Sequence, residues 1–400
     1  MSYSNLSKNL TDTLTKAEKK NQGIFFTPPE TVQKCLQSLQ KYMSSVKNIL
    51  EPSCGSGEFI TALRDSYPAK NIVGVEFNEK IYDSIQELGS EKVEIIRADY
   101  LKYKPTSKFD LIIGNPPYFV LKKNEVEQKY FDFFEGRPNI YILFILQSLR
   151  HLNKNGVLCF ILPSNFLNCL YYDKTRKYIY DNFEILHIEE CQDTYLETQQ
   201  ETVIFMIRHK KNLRNNLKFT LSIDKYTIFA EVEKVTKLKS LLANAVNLKS
   251  LNFKVGVGNV VWNQKKSLMR DESSYTRLIY STDIKNRKLV LSKFKNEDKK
   301  NYIDMPGGKE IQLIINRGYG NSKYKFEYCL LDLDYEYLIE NHLIYIKFMG
   351  ELNREELLAK YQKIIESLKN KKTQQFISLY FGNNAINTTE LGEILPIYDV

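Results

Sequence analysis

Between Val46 and Arg208 the chain alternates short apolar runs with amphipathic stretches. The runs Val46–Leu50, Asn71–Glu76, Lys92–Ile96, Phe109–Ile113, Gly156–Leu162, Phe183–Glu189 and Thr202–Arg208 are short and rich in Ile, Val and Phe, and they predict strands. The stretches Glu58–Ser66, Glu79–Leu88, Asn139–Leu152 and Asp173–Asp181 predict helices between them. Strands alternating with helices imply an α/β fold, a parallel sheet covered by helices on both faces. In such a sheet ligands bind outside the carboxyl ends of the strands. Residues 1–21 are polar and lysine-rich and read as a flexible N-terminal tail. After about Lys210 the rhythm fails. A polar basic link, Lys210–Asn216, leads to strand-like pieces and a helix near Val232–Ala243. Short strands, turn signals such as Met305-Pro306-Gly307-Gly308 and an amphipathic helix near Glu351–Asn370 follow. The expected organisation is the tail, one domain over 22–245 and a mixed α+β domain over 246–400.

Composition adds few constraints. Four hundred residues exceed the usual single-core size, in keeping with two domains. Apolar content of 43% and charged content of 26% are those of a soluble globular chain. No stretch approaches the roughly 18–20 apolar residues of a membrane span, and the N-terminus has no secretory signal pattern. The six cysteines include no C-x-x-C pair, which favours reduced thiols in a reducing compartment. The four histidines show no metal-ligand spacing, so no metal is expected. The net charge of +9 is unevenly spread. From Lys249 to Lys325 there are 17 Lys/Arg against 7 Asp/Glu, and from Phe326 to Val400 there are 7 against 12. A polyanion partner and a merely solvated lysine-rich surface both fit that pattern.

The chemistry is concentrated just past the expected strand ends. Asn115-Pro116-Pro117-Tyr118 follows the strand Phe109–Ile113. An Asn side-chain oxygen and a proline-flanked carbonyl give two acceptors with few competing donors, because proline has no N–H. Such a pair can grip both hydrogens of a planar amino group and turn its lone pair towards an electrophile. Tyr118 offers a flat face for the ring that carries the nitrogen. The loop Glu51-Pro52-Ser53-Cys54-Gly55-Ser56-Gly57 joins strand to helix, with Gly55 and Gly57 letting the backbone approach a ligand. It is not GxGxxG, and Glu51 would meet a cationic amine or a sulfonium-bearing amino acid rather than a pyrophosphate. Glu76 ends the second strand, where a carboxylate accepts from ribose hydroxyls or caps the next helix. Asp99 could accept from a nucleobase amine beside Tyr100, or be an ordinary loop residue.

Taken in order, Phe26-Thr27-Pro28-Pro29, Glu51–Gly57, Glu76, Asp99 and Asn115–Tyr118 resemble the motifs of the gamma-class, TaqI-like adenine-N6 DNA methyltransferases. The resemblance covers about residues 22–210. It implies a Rossmann-like class I sheet binding S-adenosyl-L-methionine, followed by a target recognition domain. It also implies residue roles. Thr27 and Pro28 would close over the methionine end of the cofactor, with Glu51 and Ser53 at its amino and carboxylate groups. Glu76 would hold the ribose, Phe77 would lie against the adenine ring, and Asp99 would accept from the adenine amine in a pocket lined by Tyr100 and Phe144. Asn115 and the Pro116 carbonyl would bind the target amine, while Tyr118 and Tyr195 would stack on a base flipped out of the duplex.

The implied activity is site-specific methylation of adenine N6 in double-stranded DNA, as in restriction-modification systems or a viral equivalent. The enzyme would be a cytoplasmic monomer sharing its DNA site with a separate cognate endonuclease. Lys265, Lys266 and Arg317 are the candidate DNA contacts, exposed turns with solvated charges being the alternative. Rival readings are a protein glutamine or RNA base N-methyltransferase using the same Asn-Pro-Pro-Tyr grip, and a non-catalytic DNA-binding specificity subunit.

Overall fold

The computed structural model describes residues 3–191, 195–196, 200–209, 212–316, 327–381 and 386–399. The chain divides into two compact units, Met1–Val235 and Thr236–Val400. The division falls inside the helix Val232–Leu242, earlier than the boundary near 245 that the change of rhythm suggested.

The first unit opens with helices, not with a tail. Helices α1 (Asn5–Thr13) and α2 (Lys16–Gln22) occupy most of the segment expected to be flexible. Ser4 caps α1 by accepting from the Ser7 N–H, and Thr15 and Glu18 form a reciprocal capping box on α2. Leu10 and Leu14, four apart, bury against Phe26 and Ile81, with Leu6 packed beside them. The Glu18 carboxylate lies 2.6 Å from Lys80 Nζ and adds a surface ion pair. Gly23, at φ +62°, ends α2 and turns the chain beneath the Asn-Pro-Pro-Tyr loop. A Cβ there would lie 2.6 Å from the Tyr118 backbone nitrogen.

Helix α3 (Pro29–Leu39) leads to β1 (Asn48–Glu51), α4 (Glu58–Ser66), β2 (Asn71–Glu76), α5 (Glu79–Ile85), β3 (Val93–Arg97) and β4 (Phe109–Gly114). Then come α6 (Ile140–His151), β5 (Leu152–Pro163), α7 (Asp173–Asn182), β6 (Phe183–Cys191) and β7 (Thr202–His209). The seven strands form one sheet in the order β3-β2-β1-β4-β5-β7-β6. It is not wholly parallel as expected: β7 runs antiparallel to both β5 and β6. The physical reason is length: the link between Cys191 and Thr202 is shorter than the dozen or more residues that a parallel crossover needs, so the chain reverses.

Both faces of the sheet are buried, which is why its central strands read as nearly continuous apolar runs. Ile49, Leu111, Ile113 and Cys159 pack with α3 and α4 on one face. Leu50, Ile112, Leu158 and Phe160 pack with α6 on the other, and α6 itself is buried from Tyr141 to Leu149. Each such side chain contributes about 1.5–3 kcal/mol of burial.

The second unit is mixed α+β, as expected. One sheet joins Phe253–Val257, Leu343–Phe348, Gln312–Asn316 and Tyr328–Leu331 in antiparallel order. A second four-stranded sheet includes Thr276–Ile279 and Tyr337–Ile339. The helices Arg354–Lys369, with an Asn353–Glu356 capping box, and Lys371–Tyr380 follow.

Candidate active site

The four parallel strands β1–β4 deliver Glu51, Glu76, Asp99 and Asn115 to one edge of the sheet, each at or just past a carboxyl end. A cavity of about 300 Å³ opens there. Its wall includes Ser53, Gly55, Glu76, Phe77, Asp99, Tyr100, Asn115, Pro117 and Phe144, all named from the sequence. Glu51, Gly57, Thr27, Pro28, Pro116 and Tyr118 are not among its lining residues.

The glycine loop is shaped by its backbone. Gly55 and Gly57 sit at φ +48° and +76°, where a side chain would be strained. Gly57 also packs against Leu88, whose Cδ1 would lie 2.3 Å from any Cβ. Gly57 is therefore a structural residue that starts α4. The Gly55 N–H donates to Glu76 Oε2 at 2.9 Å, and the Asn78 N–H donates to Oε1 at 2.7 Å. These bonds orient the carboxylate at the cavity wall. Burial raises the Glu76 pKa, and the N–H donors partly offset it.

Glu51 is 2% exposed, and its Oε2 has no hydrogen-bond partner among the described residues. Burial first, then the neighbouring Glu76 and Glu58 carboxylates, push its pKa well above the usual range. A buried carboxylate with one unpartnered oxygen at a strand end is a place for a cation.

Around the cavity's far side, Tyr100 donates or accepts a 2.8 Å bond with Ser148 Oγ, and its ring lies 5.0 Å from that of Phe144. Asp99 Oδ1 accepts from the Leu101 N–H at 3.1 Å. Phe77 is 64% exposed, an uncovered ring beside the Glu76 carboxylate.

The Asn-Pro-Pro-Tyr loop is tied to the segment that precedes α3. Asn115 Nδ2 donates to the Phe25 carbonyl and to Thr27 Oγ1, each at 3.2 Å. Ser53 Oγ donates to the Asn115 carbonyl at 3.2 Å. With its nitrogen held in this way, the Asn115 amide presents Oδ1 as an acceptor, and the Tyr118 hydroxyl now donates to it. The same hydroxyl lies 2.9 Å from the Ile161 carbonyl. The Tyr118 ring is flanked by Phe25, at 6.5 Å and 30°, and by the edge of Tyr141, at 5.9 Å. Burial and the nearby Tyr195 hydroxyl raise the Tyr118 pKa well above its ordinary value. Tyr195 is only 4% exposed, so its ring presents no open face in this structure.

Sequence reasoning missed Gln22–Phe25, which together with the motif residue Phe26 form one wall of the cavity. Gln22 Oε1 accepts from Asn78 Nδ2 at 2.9 Å, joining α2 to the residue that caps α5. The available signal was Gly23, whose left-handed turn brings the chain over the site. Lys265 and Lys266 are exposed on short turns of the second unit, and Lys266 is paired with Asp298 at 2.7 Å. Arg317 lies outside the described residues. No cluster that could hold a metal ion occurs among the described residues, and no helix of theirs is long and apolar enough to cross a membrane.

The comparisons with known proteins agree with this geometry. Residues 41–196 match the family model of Eco57I restriction-modification methylases. The type II methyltransferase M.CvrRI of Paramecium bursaria Chlorella virus XZ-6E is 29% identical over 96% of this chain and 96% of its own length. The modification methylase CviBIII of Paramecium bursaria Chlorella virus NC1A is 36% identical over 48% of this chain and 52% of its own. A cryo-electron microscopy structure of a DrdV–DNA complex shares the fold with a TM-score of 0.58 at 15% identity, over 98% of this chain and 57% of that one.

Proposed function

We propose that the protein methylates the N6 amine of an adenine rotated out of duplex DNA, acting as a site-specific modification methyltransferase. The observation that carries this reading is the Asn115 amide. Its nitrogen is held by the Phe25 carbonyl and Thr27 Oγ1, so its oxygen is fixed as an acceptor at the carboxyl end of β4.

S-adenosyl-L-methionine, when bound, supplies an electrophilic methyl on a sulfonium. Glu51, buried and with Oε2 unpartnered among the described residues, suits the ammonium of that molecule, and the oriented Glu76 carboxylate suits its ribose hydroxyls. Asn115 Oδ1 and the Pro116 carbonyl accept the two amine hydrogens and so free the nitrogen lone pair from the adenine ring. They also stabilise the positive charge that develops on that nitrogen. The amine releases its proton only after it has become cationic, so no strong base is required, and no histidine lines the cavity. To reach Oδ1, the amine displaces the Tyr118 hydroxyl, whose ring then serves as a stacking face. Flipping a base costs a few kcal/mol, which stacking on aromatic residues offsets at about 1–3 kcal/mol per base. The names of the type II methyltransferase relatives and of the DrdV–DNA complex support duplex DNA as substrate.

The test is transfer of a labelled methyl group from S-adenosyl-L-methionine to duplex DNA. The wild type should label DNA, and Asn115→Ala should lose at least a hundredfold in rate, in line with loss of a well-placed acceptor. Its cofactor affinity should be unchanged. Full transfer by Asn115→Ala would refute the mechanism. Labelling of RNA or protein in place of DNA would refute the substrate.

A further inference from the structure

In the second unit, Ile284–Lys285 and Lys288–Leu289 form a small antiparallel hairpin, with Ile284 opposite Leu289 and Lys285 opposite Lys288. Asn286 and Arg287 make the turn at φ +51° and +63°. Two consecutive left-handed residues define the tight hairpin turn that glycine or asparagine adopts most easily. Arginine at the second position carries a conformational penalty that a glycine would avoid. Its guanidinium lies 5.3 Å from the centre of the Tyr328 ring, which holds it in place at the tip.

The hairpin is held rigidly at its base. Asp283, fully buried, accepts from the Tyr280 N–H at 3.0 Å, the Ser292 N–H at 3.1 Å and Arg277 Nη2 at 2.7 Å. The Val290 N–H donates to the Asp283 carbonyl at 2.8 Å, and Ser292 Oγ donates to the Thr282 carbonyl at 2.9 Å.

The charge on this hairpin is uncompensated. Residues 284–296 contain no acidic side chain, while Lys285, Arg287, Lys288, Lys293 and Lys295 are all exposed. None of these five forms an ion pair among the described residues. Elsewhere in the same unit Lys249, Lys266, Arg270, Lys300 and Lys347 are neutralised by Glu393, Asp298, Asp304, Asp271 and Glu310. Lys285 and Lys288 also stand directly across from each other, an arrangement that like charges destabilise unless an anion lies between them.

We propose that this hairpin is a DNA-backbone contact, with Lys285, Arg287 and Lys288 seated on the phosphates of the duplex that the enzyme methylates. The proposal rests on the reading of the substrate as duplex DNA. Contacts of this kind position the duplex without reading its sequence. It adds to Lys265 and Lys266 a surface where the basic charge is free rather than paired.

The test is binding of a fluorescent duplex oligonucleotide across a salt series. The triple variant Lys285→Gln/Arg287→Gln/Lys288→Gln is compared with the charge-matched Lys249→Gln/Lys300→Gln/Lys347→Gln, which removes paired lysines. Each phosphate contact contributes about 0.9 to the slope of log affinity against log salt, so the hairpin variant should lose between about 2 and 3. The charge-matched variant should keep the wild-type slope, and both should bind S-adenosyl-L-methionine normally. Equal slopes in the two variants, or an unchanged slope in the hairpin variant, would overturn the proposal. If the wild type methylates DNA while the hairpin variant keeps its slope, only the hairpin assignment fails. If the wild type neither binds nor methylates DNA, the substrate reading fails with it.

Discussion

At the scale of single residues, the resting site already contains a stand-in for its substrate. The Tyr118 hydroxyl donates to Asn115 Oδ1, the position a target amine would take. Removing that hydroxyl should therefore leave the stacking face and eliminate a competitor. Tyr118→Phe is expected to methylate with kcat/KM at or above the wild-type value. Tyr118→Ala removes the ring, and a stacking loss of about 1–3 kcal/mol corresponds to roughly 5–150-fold in kcat/KM. Steady-state kinetics on one DNA duplex separate the two variants, and equal losses in both would show that the hydroxyl, not the ring, is what the site uses. Much of this site was legible beforehand. Glu76 ends a predicted strand and Asp99 and Asn115 follow others, so the chain pattern alone put them at one edge. What could not be read was the state of each side chain. The hydrogen bonds that clamp Asn115 Nδ2 come from Phe25 and Thr27, some ninety residues away in sequence, and only the folded chain brings them near. The burial of Tyr195 was equally invisible, because nothing in Tyr195-Leu196 fixes how the ring turns.

At the scale of elements, the central strands and helices follow from periodicity because each is long or strongly patterned. Helix α6 and the strands of the sheet lie where the apolar runs predicted them. Two elements escaped. Strand β7 was recognised, but its direction depends on how few residues separate Cys191 from Thr202, a weak signal in the sequence. Helices α1 and α2 were hidden because short helices rich in Lys, Asn and Ser carry little apolar signal. Their signature was the spacing of Leu6, Leu10 and Leu14 together with the capping residues Ser4 and Thr15. These helices hold Gln22–Phe26 against the strand-end cavity, so under the proposed function their packing and cofactor binding are linked. Leu10→Ala should destabilise the protein by about 2 kcal/mol or more, the low end for a buried leucine, and should weaken cofactor binding as well. Thermal unfolding with and without S-adenosyl-L-methionine checks both effects. An unchanged melting temperature would mean that α1 does not support the fold.

At the scale of the whole molecule, the division of labour is visible in the charge. The first unit gathers buried carboxylates and aromatic rings around one cavity, whereas the second carries the basic segment that begins at Lys249. That segment was legible as composition, but not as a surface. Ion pairs neutralise many of its cations, and only the fold shows that those of the 284–289 hairpin form no ion pair among the described residues. The central claim is that the amine held by Asn115 belongs to an adenine of duplex DNA. The direct measurement is mass spectrometry of nucleosides from duplex DNA incubated with the purified protein and S-adenosyl-L-methionine. N6-methyl-2′-deoxyadenosine should appear, at a single sequence context when the same DNA is read by long-read sequencing. Methylcytosine as the product, or DNA left unmodified while the protein binds S-adenosyl-L-methionine normally, would contradict the claim.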